Sequence, residues 1–169
     1  MAMALLLATG LALVGFVFTS IQGFAVTAGP LVARHVGYAI PTVLFSLFSQ
    51  SMVIFFFIGT GKLVKEEAAG LPEGDRALVL AALRRLKMQT SPPATLALLC
   101  AITVFVLGGA AHTKALPSWV HLGSAVAAVA THLWAFVAES RAFAENNRLM
   151  DDPRAYARAA RTVTARRPV

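Results

Sequence analysis

Charged side chains are absent from four stretches of the chain, residues 1–33, 36–61, 88–113 and 115–138, and crowd into the segments between and after them. Each stretch holds at least 24 residues. A helix rising ~1.5 Å per residue needs only ~20 to cross a hydrocarbon layer ~30 Å thick. In lipid the backbone must satisfy its own hydrogen bonds, so runs of this kind read as helices rather than strands. The pattern predicts spans at about 5–25, 40–61, 94–111 and 118–138. Together they make an all-α, four-helix antiparallel membrane bundle within residues 1–140, with a basic and amphipathic loop at 62–91 and a basic tail at 141–169.

Helix punctuation refines these boundaries. Pro92 and Pro93 precede the third span and Pro117 the fourth, at helix starts where a missing N–H costs nothing. Gly59 and Gly61 close the second span, and Gly108 and Gly109 lie near the end of the third. Pro41 allows two starts for the second helix, one at about Ile40 that leaves His35 in a loop and one near Arg34 with a bend at the proline, and the later start is the favoured one. Residues 74–90 have helical periodicity, with Leu80, Leu83 and Met88 on an apolar face. They fit a helix lying in the membrane interface and equally a downward continuation of the third helix interrupted at Pro92 and Pro93. In the tail, Asp152-Pro153 reads as a cap followed by a first-turn proline, opening a short helix to about Thr162. Arg154, Arg158 and Arg161 share one stripe of it.

Composition strengthens the membrane reading and removes others. Of 169 residues, 57% are hydrophobic and 14% charged, against about 45–50% and 25% in ordinary soluble domains. The net charge of +7 is a topology signal rather than a nucleic-acid footprint. Thirteen basic residues fall in 62–87 and after Glu139, and only Arg34 and Lys114 in the other two connections. That bias puts both termini in the cytoplasm and attracts anionic headgroups there. A multi-pass protein of a plasma membrane follows, and the Ala- and Arg-rich composition suits a bacterial one. Val26-Thr27-Ala28 satisfies a signal-cleavage rule, but no basic residue precedes the apolar stretch and that stretch is too long, so the first span is expected to stay.

Several chemistries are excluded. Cys100 is alone, so no internal disulfide or multi-thiolate site forms. Gly59-Thr60-Gly61-Lys62 is followed by Leu63 and preceded by no strand, so it is not a phosphate-binding loop. No serine sits in a nucleophile elbow. The polar cluster Glu139, Arg141, Glu145, Asn146, Asn147 and Arg148 suits a small transferase acting on an anionic cofactor, and equally any helix leaving lipid. The chain reads as a non-enzyme more readily than as an enzyme.

What remains is packing and four histidines. Gly15, Thr19 and Gly23 form a small-residue stripe on the first span. Ser118, His121, Ala125, Ala128, His132, Ala135 and Glu139 share one inward face of the fourth. His35, His112 and His121 fall at the outer ends of spans, and His132 about 16 Å deeper than His121. Ser46, Ser49, Gln50 and Cys100 lie at that depth, giving a polar membrane core. His35-Val36-Gly37 and His121-Leu122-Gly123 open the returning halves of the two hairpins, and aligning them matches Ser46 with His132.

Three functions follow. Histidines of different helices suit a b-type haem, with His121 and His132 as ligands and His35 or His112 as partner. The outer set His35, His112 and His121 suits copper or zinc. His132 with Gln50 or Glu139 suits a proton path in a small transporter. The plain reading is that His35 and His112 sit at the headgroups while His121 and His132 hydrogen-bond neighbouring helices. The expected protein is redox-associated, or else a scaffold or accessory subunit of a larger membrane complex or homo-oligomer.

Overall fold

The computed structural model describes residues 1–26 and 30–165. Among these, every regular element is helical: α1 Ala2–Phe24, α2 Pro30–Glu67, a 3₁₀ turn at Ala68–Gly70, α3 Glu73–His112, α4 Ser118–Asp151 and α5 Pro153–Ala165. Four of them, α1 to α4, are long and apolar enough to cross a membrane. Positions 27 and 28 of the cleavage-like tripeptide lie outside the described residues. The long helices alternate in direction and form a closed ring, each packed on the next in sequence with α1 also against α4, while α2 and α4 meet across the diagonal. The ring is apolar outside as well as inside. Leu7, Val14, Phe48, Phe55, Ile58 and Phe105 are all at least half exposed.

Two boundaries differ from those the sequence predicts. The second helix begins at Pro30, not near Ile40, and carries Pro41 in its interior. His35 is therefore helical. Pro41 removes the donor that would serve the Gly37 carbonyl, a defect costing about 3 kcal/mol in an isolated helix. Packing of α2 against α1 and α3 along its length outweighs it. In the same way α3 runs unbroken through Pro92 and Pro93, and Pro93 is fully buried in the bundle.

Residues 73–91 are thus the first half of a 40-residue helix. Their buried face is Val79, Ala82 and Leu86, which close a second core with Val64, Ala68, Leu71, Ala142, Leu149 and Ala157. Met88 is exposed. This lower core holds the ends of α2 and α4 together with α5, so the segment packs on its own protein rather than lying flat on a surface.

The tail helix forms as its sequence dictates. Asp152 Oδ1 accepts from the backbone N–H groups of Arg154 (2.8 Å) and Ala155 (2.9 Å), capping the first turn of α5. Tyr156 donates its hydroxyl to Glu145 Oε1 at 2.7 Å, and Arg85 donates to the same carboxylate and to the Tyr156 oxygen. Burial, followed by the neighbouring Glu145 carboxylate, holds the Tyr156 phenol above its usual range. Arg161 pairs with Asp75 at 2.7 Å, so only Arg154 and Arg158 of the expected basic stripe are left facing out unpaired.

The α3–α4 turn is a tight one. Lys114 N–H reaches Ala111 O and Ala115 N–H reaches Ala110 O, the paired bonds of a Schellman motif. That motif places Lys114 in the left-handed region, at φ 60°, where a side chain costs about 1–2 kcal/mol. Lys114→Gly is therefore expected to stabilise the protein by roughly 1 kcal/mol and Lys114→Val to destabilise it. Thermal unfolding of the purified protein in detergent measures both.

Candidate functional site

Polar side chains inside the ring gather on the α2–α4 diagonal, in layers. Nearest the α3–α4 turn, the His35 and His121 rings face each other with centroids 6.2 Å apart and planes at 77°. Deeper, Ser46 Oγ lies 2.6 Å from His132 Nε2. Below that come Gln50 and Glu139, both fully buried. Near the lower core, Thr60 Oγ1 lies 3.3 Å from Asn146 Oδ1.

The pairs obey a rule. His35–His121, Ser46–His132, Phe57–Phe143 and Thr60–Asn146 are each separated by 86 positions. Residues equivalent under one offset touch each other when two copies of a hairpin pack about a twofold axis. Here such an axis would run lengthwise down the bundle, between α2 and α4.

The surroundings of the two outer histidines repeat as well. His35 packs on Gly23 of α1, where a Cβ would lie 3.3 Å from its Cε1, and His121 packs on Gly108 of α3, where a Cβ would lie 3.0 Å from Cε1. Each ring also lies by the backbone carbonyl one turn before that glycine, Thr19 for His35 and Val104 for His121. In both rings Nδ1 is buried without a hydrogen bond. The glycines let imidazole approach helix backbone more closely than any side chain would permit. That use of Gly23 refines the small-residue stripe: Gly15 meets Thr42 of α2 at a spacing equally short of room for a Cβ, so the stripe serves the α1–α2 contact.

His132 has a different character. Its Nδ1 lies 2.7 Å from Ala128 O, and a carbonyl only accepts, so Nδ1 carries the proton. Nε2 is then the acceptor for the Ser46 hydroxyl. Phe16 packs on the ring at a centroid distance of 4.3 Å. Both nitrogens are used, and the side chain is fully buried. His132 is tied into the bundle as a neutral imidazole, a helix-to-helix bond rather than an open ligand.

The remaining candidates disperse. His112 is exposed at the end of α3 and does not join the outer pair. Cys100 is half-buried against the apolar cluster of Phe16, Val43, Ala101, Val104, Ala125 and Ala128. Among the described residues no three His, Cys, Asp or Glu side chains converge as a metal-binding group. Ser118 is exposed, while the inward stripe of α4 continues past Glu139 through Ala142, Asn146 and Leu149. Sequence reasoning missed the roles of Gly108, Val104 and Thr19. The spacings, twelve residues from Gly23 to His35 and thirteen from Gly108 to His121, differ by one and did not mark these glycines.

No family model matches the chain, and no curated protein or solved structure matches it.

Ser46→Ala would leave His132 Nε2 buried without a donor, at a cost of about 1–3 kcal/mol. Adding His132→Phe should recover part of it, because the unsatisfied atom then disappears. Thermal unfolding of the single and double variants reads the coupling.

Proposed function

We propose that the protein is an integral membrane bundle that binds a b-type haem between His35 and His121 and carries electrons, one at a time, near the outer face of the membrane. The membrane part of this reading rests on the apolar exterior of the ring and on four helices of sufficient length. Orientation rests on the thirteen-to-two distribution of basic residues. Both termini, α5 and the lower core then face the cytoplasm of a plasma membrane of bacterial type. Trp119, largely exposed beside His121, suits an outer interfacial position.

One observation carries the cofactor assignment: the 6.2 Å between the imidazole centroids. A metal–imidazole bond is about 2.1 Å, and with ~1.1 Å from nitrogen to ring centre two trans imidazoles lie about 6.4 Å apart on one metal. The donor set favours haem over a bare ion. A structural zinc site requires four protein ligands and a catalytic one three, whereas the porphyrin brings four nitrogens of its own and needs only two from the protein. A backbone carbonyl beside each ring, from Thr19 and from Val104, suits an outer-shell contact that would orient the imidazole for a metal. When bound, haem supplies reversible one-electron chemistry at iron. The chain's own residues hold the two half-buried imidazoles in place, each packed on a glycine of the preceding helix.

This assignment moves the ligand role from the His121 and His132 pair to His35 and His121. Purified protein is expected to show a Soret band that sharpens and shifts on reduction with dithionite. His35→Ala and His121→Ala should each abolish it or weaken it at least tenfold. His112→Ala, Cys100→Ser and His132→Ala should retain it, the last in a less stable protein. Stoichiometric copper or zinc without a Soret band would replace haem with a bare ion. A colourless, metal-free preparation would leave the accessory-subunit reading in its place.

A further inference from the structure

Below the Ser46–His132 pair, the bundle holds a carboxyl group that the haem assignment does not use. Glu139 is fully buried, and both carboxylate oxygens lack a hydrogen-bond partner. The side chains flanking it are Thr9 of α1 and Gln50 of α2. Thr9 spends its hydroxyl proton on the Leu6 carbonyl at 3.1 Å. Gln50 Oε1 is itself buried with no donor. Three acceptor oxygens, two of Glu139 and one of Gln50, are therefore buried as neighbours without partners, an arrangement that costs the desolvation of each group.

No cation relieves it. Among the described residues, the side chains acting on Glu139 are Thr9 and Gln50, and neither is charged. The buried positions of α3 on the same side of the bundle, Thr90, Ala94 and Ala97, carry no titratable group. On α4 itself Arg141 is exposed, and His132 is held by Ser46 and Ala128. The nearby packing is apolar, from Ala2, Leu5, Val53 and Phe143. An amide donor from Gln50 would serve one carboxylate oxygen and still leave an isolated negative charge in a medium that penalises it by several kcal/mol.

We propose that Thr9, Gln50 and Glu139 form a proton-binding site, in which Glu139 takes up one proton and donates it in a hydrogen bond to Gln50 Oε1. A single proton removes the charge and supplies the missing donor. The site is asymmetric: the position equivalent to Glu139 in the first hairpin is Val53, 86 residues earlier and likewise fully buried. It exchanges protons with the cytoplasmic end. His132 closes the other direction, because its one N–H is held by Ala128 O and has none to pass on. The Thr60–Asn146 pair lies between Glu139 and the inner face and provides polar atoms along the way. The site therefore stores a proton on one side of the bundle rather than conducting it across. It depends on the lipid-embedded reading but not on haem.

Infrared spectroscopy of the full-length protein in lipid vesicles at pH 7 tests it. The other seven acidic side chains are exposed or ion-paired, and Glu139→Gln separates any contribution of theirs from that of Glu139. The expected result is one carbonyl stretch of a protonated carboxylic acid, shifted down slightly in deuterium oxide and absent from Glu139→Gln. That variant is isosteric with the protonated acid. In Gln50→Leu the same band should remain but move to higher frequency, because the acid has lost its acceptor. No protonated-acid band at pH 7, or one that survives in Glu139→Gln, overturns the proposal. An unmoved band in Gln50→Leu overturns the role of Gln50. A colourless protein that still shows the band rejects haem and leaves the proton site standing.

Discussion

A polar side chain buried inside a bundle whose outside is also apolar has no water to fall back on, so it must find its partner within the protein, on its own helix backbone or on another helix. That constraint organises the whole interior. The serine, the threonine, the asparagine and three histidines on the inner faces of α2 and α4 occur as pairs across the diagonal, and each pair holds the two helices at one depth. Small residues do the rest. Alanines at 125, 128, 135 and 142 bring α4 close to its neighbours, close enough for short side chains such as Ser46 to reach across. In the absence of a strong hydrophobic drive between helices in lipid, such contacts and close packing decide which faces meet.

The common offset of 86 explains why partners lie at matching depths. Two like hairpins related by a twofold axis present identical positions to each other on that axis, so a residue needs only its own equivalent as partner. At the end nearest the α3–α4 turn the equivalents are both histidine, and each packs on a glycine of the preceding helix, Gly23 and Gly108, which are offset by 85 rather than 86. Toward the inner end the halves have diverged: Glu139 stands opposite Val53, and Gln50 corresponds to Phe136. Symmetry thus supports a two-ligand site at one end of the molecule, and its breakdown supports a single ionisable site at the other. The proposed electron and proton sites would then lie in different halves of the bundle, with the Ser46–His132 bond between them.

Much of this was legible in the chain. Charge-free runs gave the number of long helices, and Asp152-Pro153 gave the start of α5. The face His121, Ala125, Ala128, His132, Ala135, Glu139 was read correctly because a 3.6-residue period survives any detail of packing. The prolines misled. Pro41 and Pro92-Pro93 signal helix ends in an isolated helix, but here the cost is local and the stabilising contacts run the length of α2 and α3. The histidine pairing was half visible in the repeated His-Val-Gly and His-Leu-Gly triplets. Which histidines are free to bind could not be seen, because that depends on Ser46 and the Ala128 carbonyl satisfying both nitrogens of His132. Pairwise hydrogen bonding across helices leaves no trace in periodicity.

The account's central claim is that equivalent imidazoles from the two hairpins share one iron, and electron paramagnetic resonance of the oxidised, purified protein tests it most directly. A haem held by His35 and His121 would be low-spin when ferric, and imidazole planes at 77° would give it large anisotropy. A single low-spin signal of that kind is the expected result. A high-spin ferric signal, or a low-spin signal unchanged by loss of either His35 or His121, would contradict it.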